Sequence, residues 1–199
     1  MGTDKTVADC ARVSFNKIKD KFDDKDIKLI EYLAAHNHWS PFSHPQISLH
    51  VKAPIFVLRQ LLKSVVGLTW NEVSRRYVDY TPEIYTPSEW RGRPRNKKQG
   101  SSDVVMLQDD KEYKIQMTRL IGYYEYLITC GVAPEMARMV LPLSVYSEGI
   151  WTGSLAAFAR VYKLRSQQDA QMETREIASQ INEIIQKLFP VSWRTLVNA

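Results

Sequence analysis

The sequence predicts an α+β fold, and three observations lead there. Several stretches repeat apolar residues at helical spacing, candidate strands are few, and helices and strands do not alternate as a doubly wound sheet requires. With 199 residues, 44% of them hydrophobic and 25% charged, the chain is large enough to bury one core and is no disordered sequence, so 1–199 reads as a single domain. Its apolar stretches are broken by charge well short of a membrane span, as in Lys52-Ala53-Pro54-Ile55-Phe56-Val57-Leu58-Arg59.

Taken in order, residues 24–37 read as a helix, with Ile27, Ile30, Leu33 and Ala34 at helical spacing, and 36–44 as a loop. Ile47, Leu49 and Val51 alternate with Gln46, Ser48 and His50, the pattern of a half-buried strand. Pro54 suits the first turn of a helix reaching about Val66; Ile55, Leu58, Leu61, Leu62 and Val65 fall on one arc, Arg59, Gln60, Lys63 and Ser64 on the other. Tyr77 to Tyr80 reads as extended and 82–100 as a long loop. Asp103 can cap a helix reaching about Thr129, with Tyr113, Met117, Leu120, Tyr124 and Leu127 on its buried face. Pro134 starts a short helix that Pro142 ends; 145–151 reads as a strand, 154–165 as a helix and 171–189 as the final helix.

A net charge of +5 favours anionic partners. Met1-Gly2-Thr3-Asp4-Lys5 lacks the apolar run of a secretory leader, and Cys10 and Cys130, the only cysteines, make no disulfide framework, so a reducing cytoplasm is expected. Neither cysteine has a histidine or basic pair nearby to form a thiolate, and both are expected to be small core residues. His36, His38 and His44 lack the acidic or cysteine partners of a zinc pattern, so no metal site is expected.

The segment from Gly67 to Tyr77 gathers a carboxylate, an amide, hydroxyls, two guanidiniums and a phenol. Composition alone suits a polar turn; the order of residues points further. Asn71-Glu72-Val73-Ser74-Arg75-Arg76-Tyr77 resembles the Asn-Glu-x-Ser-x-Arg-Tyr end of the signature of the flavin-dependent thymidylate synthases. Ser40-Pro41-Phe42 with His38 and His44, Pro54 to Gln60, Glu135 to Pro142, and Lys163 to Glu173 resemble four further blocks of that family, in family order from about Arg12 to Glu173.

The resemblance implies a single domain of helices packed around a small, mostly antiparallel sheet. It also implies a homotetramer whose active sites draw residues from several subunits. The implied reaction converts dUMP to dTMP, with 5,10-methylenetetrahydrofolate as one-carbon donor and NADPH-reduced FAD as hydride source. By resemblance Gln60, Lys63, Glu72, Ser74, Arg75, Arg76, Arg138 and Arg165 fall at dUMP-contacting positions. Arg165 is the catalytic candidate, a guanidinium beside a pyrimidine edge that accumulates negative charge. Ser40, Lys63, Ser64, Val65, Glu72, Ser154 and Arg160 fall at FAD positions, and His38, Asn71 and Tyr77 at other active-site positions.

Two of these arginines have a plainer reading: Arg165 with Asp169, and Glu135 with Arg138, are also spaced as helix-surface ion pairs. The chain departs from the family where the signature opens. Lys63-Ser64-Val65 stands in place of Arg-His-Arg, with a one-residue insertion assigned to Gly67, and Ser154, Ala156, Arg160 and Asp169 replace other family residues. The nucleotide positions are thus better kept than the flavin positions. Two rival readings follow: a dUMP-binding pseudoenzyme without working flavin, and a nucleic-acid-binding protein using the basic loop Arg91, Arg93, Arg95, Lys97 and Lys98, for which a solvated loop is the plainer reading and contact with a folate tail or nucleic acid the sharper one.

Overall fold

The computed structural model describes residues 1–95, 99–107 and 110–199, so Lys97 and Lys98 of the basic loop lie outside the described residues. The architecture is α+β, as predicted. A three-stranded sheet runs in the order β1 (Gln46–Pro54), β5 (Tyr146–Ser154), β2 (Leu68–Glu72), and a two-stranded ribbon pairs β3 (Trp90–Arg91) with β4 (Val105–Leu107). The sheet is antiparallel. Ser48 meets Thr152 through their hydroxyls and Ile55 donates to Val145, while Ser154 donates to Gly67 and Val73 to Glu148, so numbers rise on one strand as they fall on its neighbour.

The chain forms two compact units. The first comprises Met1–Leu49, Ser64–Trp70 and Trp151–Ala199. In it α1 (Asp4–Arg12), α2 (Asp24–Ala35), α6 (Leu155–Arg165), α7 (Met172–Leu188) and α8 (Pro190–Asn198) bury Val7, Ile30, Phe42, Trp151, Phe158, Ile185 and Trp193. The Asp23 carboxylate accepts the Lys25 and Asp26 N–H groups at the start of α2, and buried Asp26 takes ion pairs from Arg12 and Lys19. Helix α2 stops at Ala35, and Asn37 turns the chain at φ 56°, a conformation asparagine tolerates. The expected final helix ends at Leu188. Pro190, at the first position of a new helix, starts α8, whose Val191 and Ser192 N–H groups donate to the buried Asp4 carboxylate at 2.9 and 2.8 Å.

The second unit comprises His50–Lys63 and Asn71–Ile150 and carries α3 (Ile55–Leu61), α4 (Lys111–Thr129) and α5 (Pro134–Ala137). Helix α3 ends five residues before the expected Val66. Ser64, Val65, Val66 and Gly67 are weak helix formers, and Gly67 reverses the chain at φ 74° into β2, a strand where composition alone suits a polar turn. Val65 is consequently 68% exposed and not part of an apolar arc. Helix α4 starts at Lys111, not Asp103, because Val105–Leu107 is taken up in pairing with Trp90–Arg91. Its expected inner face is correct in direction and shallower in depth: Tyr124 is buried, whereas Tyr113, Met117, Leu120 and Leu127 are half-buried. Tyr77 closes a turn through its N–H to the Ser74 carbonyl at 2.9 Å and does not begin an extended segment. No described helix is long and apolar enough to cross a membrane.

Candidate active site

Within the second unit a cleft of about 370 Å³ opens beside β5, a size typical of small-molecule sites. Glu72, Ser74, Arg75 and Arg138 line it, together with Leu141, Leu143, Tyr146 and Ser147. Two guanidiniums and the Ser74 and Ser147 hydroxyls among the lining residues suit an anionic, oxygen-rich ligand, and the leucines and Tyr146 suit a flat ring. Glu72 ends β2, and Ser147 near the start of β5 donates to its carboxylate at 2.5 Å. Arg75 stacks on the Tyr80 ring and donates to the Tyr80 carbonyl. Arg138 Nε donates to the Glu135 carbonyl at 3.3 Å, while the Glu135 carboxylate lies 3.6 Å from Arg76. Glu135 therefore serves two arginines, in place of the simple ion pair with Arg138 that helical spacing allows.

Not every predicted site residue lines that cleft. Arg76, Tyr77 and Asn71 are exposed and outside its lining, and Gln60 is half-buried on α3 with Nε2 3.5 Å from the Phe56 carbonyl. Lys63 is exposed just past the end of α3. Tyr146 and Ser147 were not singled out from the sequence; the polar residues of the strand predicted over 145–151 were the available signal.

The first unit holds the remaining candidates. Gly67 lies under the start of α6: a Cβ there would stand 3.3 Å from the Ala157 Cβ and 3.6 Å from the Ser154 hydroxyl. Ser154 is buried, and its hydroxyl accepts the Ala157 N–H as the cap of α6. Exposed Arg160 donates from Nη2 to the Val66 carbonyl at 2.6 Å and so ties the Ser64–Gly67 turn to α6. Ser40 sits in the Ser40–Ser43 turn, which packs against α6. Exposed His38 lies edge-on to Tyr32 and His36. Arg165, the last residue of α6, is half-buried, and that burial pulls its guanidinium pKa below the usual value.

Both cysteines are free. Cys10 is half-buried and Cys130 exposed, which corrects the expectation that both belong to the core. Burial, and then the Asp9 charge, push the Cys10 thiol pKa up, so it stays protonated near neutral pH and is a poor nucleophile. Replacing both with serine is expected to leave turnover within about threefold of the parent, as for any pair without an activating base. A folded double variant without turnover would revive a covalent cysteine mechanism.

A family model described as thymidylate synthase complementing protein matches residues 1–191. The flavin-dependent thymidylate synthase of Thermus thermophilus is 38% identical over 195 residues, covering 97% of this chain and 71% of that protein. That of Kosmotoga olearia is 35% identical over 206 residues, covering 100% of this chain and 87% of that protein. The chain belongs to the flavin-dependent thymidylate synthase family. The fold agrees: the UMP/dUMP methylase PolB of Streptomyces cacaoi, solved with 5-Br dUMP, superposes with a TM-score of 0.86 at 27% identity, covering 99% of this chain and 91% of that one.

Membership in the flavin-dependent thymidylate synthases raises the question of whether the residues present fit a flavin dinucleotide. The hydroxyls of Ser40 and Ser64 and the guanidinium of Arg160 are donors suited to a diphosphate. Val65 and Val66, both exposed on the turn that Arg160 holds, add apolar surface. The donor chemistry fits the group, although arginine and histidine are absent from the triplet at 63–65.

Proposed function

We propose that the chain is a thymidylate synthase that methylates dUMP to dTMP, using 5,10-methylenetetrahydrofolate, NADPH and FAD. The observation that carries this reading is the convergence of Glu72, Ser74, Arg75 and Arg138 on one cleft. Arg75 and Arg138 bind the phosphate dianion, with Ser74 as a neutral donor. Glu72, held by Ser147, accepts from a ligand N–H or hydroxyl. Arg165 stabilises negative charge on the pyrimidine edge. Gln60, Lys63 and Arg76 complete the nucleotide contacts, and His38, Asn71 and Tyr77 flank the reaction.

FAD, held by Ser40, Lys63, Ser64, Val65, Glu72, Ser154 and Arg160 and reduced by NADPH, would supply hydride. The working form is a homotetramer, a reading supported by apolar side chains left exposed on α4, among them Ile115, Tyr123 and Tyr126. A single domain over 1–199 is supported by the family match across 1–191, and a cytoplasmic location by two free thiols.

Calorimetry tests the nucleotide site. The dUMP affinity is expected to be low-micromolar or tighter, roughly −8 kcal/mol, with deoxyuridine at least about tenfold weaker for want of a charge-assisted phosphate contact. Equal affinities would mean that Arg75 and Arg138 read no phosphate. PolB was also solved with 5-Br UMP, so UMP in the same titration decides between deoxyribose and ribose. The altered triplet at 63–65 is what favours the second reading, a dUMP-binding pseudoenzyme. A flavin absorbance spectrum on the purified protein supports the enzyme, and its absence after adding FAD and dUMP supports the rival. Salt-sensitive RNA or DNA binding without dUMP affinity would instead favour the nucleic-acid reading.

A further inference from the structure

We infer that Tyr80 is a positioning residue for the nucleotide site, holding Arg75 in place by stacking under its guanidinium. The inference rests on the reading that Arg75 binds the nucleotide. The Arg75 Cζ lies 4.2 Å from the Tyr80 ring centroid, and Nη1 donates to the Tyr80 carbonyl, so ring and backbone of one residue grip the same side chain. That distance is well within the range in which an aromatic face attracts a cation. Arg75 lines both the 370 Å³ cleft and the smaller hollow in which Tyr80 sits, so the gripped side chain borders the two.

Tyr80 is itself anchored. Next to it, Thr81 donates to Glu125 on α4 at 2.5 Å. Lys52 on β1 donates to Glu83 at 2.5 Å, the Glu83 carbonyl accepts the Tyr146 N–H at 2.8 Å, and Tyr85 donates its N–H to the Ser144 carbonyl at 2.8 Å. Four bonds within six residues stitch this segment to β1, α4 and the region of β5. A free arginine loses much rotamer freedom when it clamps a ligand. Holding Arg75 beforehand removes that loss from the binding step. Arg76 provides the contrast: its guanidinium is 5.4 Å from the Tyr77 ring, has no bond to the Tyr77 backbone, and lies outside the cleft lining.

Calorimetric titration of the full chain with dUMP tests this. Tyr80→Leu keeps the carbonyl and loses the ring, and is expected to raise Kd about fivefold. Tyr80→Phe keeps the stacking face and should bind dUMP as the parent does. In an Arg75→Gln background, Tyr80→Leu should cause no further loss, because its effect passes through the arginine. The inference is overturned if Tyr80→Leu binds normally, or if it weakens dUMP by the same factor with and without Arg75, as a general folding defect would. If Arg75→Gln alone binds dUMP like the parent, the nucleotide reading of the cleft fails first and takes this inference with it.

Discussion

Arg165→Ala is expected to lower turnover about 100-fold while changing the melting temperature little. Adding hydride to C6 of a uracil ring, or using C5 as a nucleophile, places negative charge on the ring nitrogen and carbonyls. A guanidinium fixed beside them is worth far more in a partly dehydrated site than in water. Arg165 suits that role in being half-buried at the end of α6, where burial lowers its pKa. The plainer reading is a helix-surface ion pair with Asp169, worth about 0–1 kcal/mol and felt as stability. Steady-state kinetics separates the two, because loss of a contact made in the transition state lowers kcat, with binding of dUMP largely kept. Arg165→Lys should recover only part of the loss, since an ammonium lacks the planar fork. Normal kcat in Arg165→Ala, with a slightly lower melting temperature, would establish the ion-pair reading instead.

Gly153→Ala is expected to destabilise the protein by about 2–3 kcal/mol, a fall of roughly 5–10 °C in melting temperature for a chain of this length. A Cβ at position 153 would stand 2.4 Å from the Leu68 Cδ2 and 2.7 Å from the Gly67 carbonyl oxygen. The leucine methyl can rotate away. The carbonyl cannot move freely, because it accepts the Ser154 N–H and belongs to a glycine held at φ 74°. The strain therefore passes into the Ser64–Gly67 turn that Arg160 ties to α6, and FAD retention should fall with stability. Gly122→Ala is the control within one subunit: its added methyl meets nothing of its own chain within 4 Å, and an alanine in the middle of α4 should leave the subunit fold unchanged in stability or stabilised by up to about 1 kcal/mol. A Gly153→Ala protein that melts with the parent would show that the turn yields without cost.

The contrast between those two glycines marks the boundary of what sequence order reveals. Nothing in the residues around 122 and 153 distinguishes a glycine in open space from one pressed against a backbone carbonyl. The end of α3 could have been read from Ser64, Val65, Val66 and Gly67, whose weak helix preference outweighed the apolar spacing that suggested a longer helix. The late start of α4 could not, because Val105–Leu107 owes its extended form to a partner strand at Trp90–Arg91.

By itself the sequence determined the α+β class, the family, and the chemical types at 71–77 and 134–142, because periodicity and residue order are local properties written along the chain. Tertiary structure decided which of those groups meet. Ser147 reaches Glu72 from 75 residues away because β5 lies beside β2, Glu135 serves Arg76 through its carboxylate and Arg138 through its carbonyl, and the ring under Arg75 arrives on a segment pinned to β1 and α4. Such pairings follow from strand register and loop closure, which depend on the free energy of the whole fold and leave no mark at the positions they join.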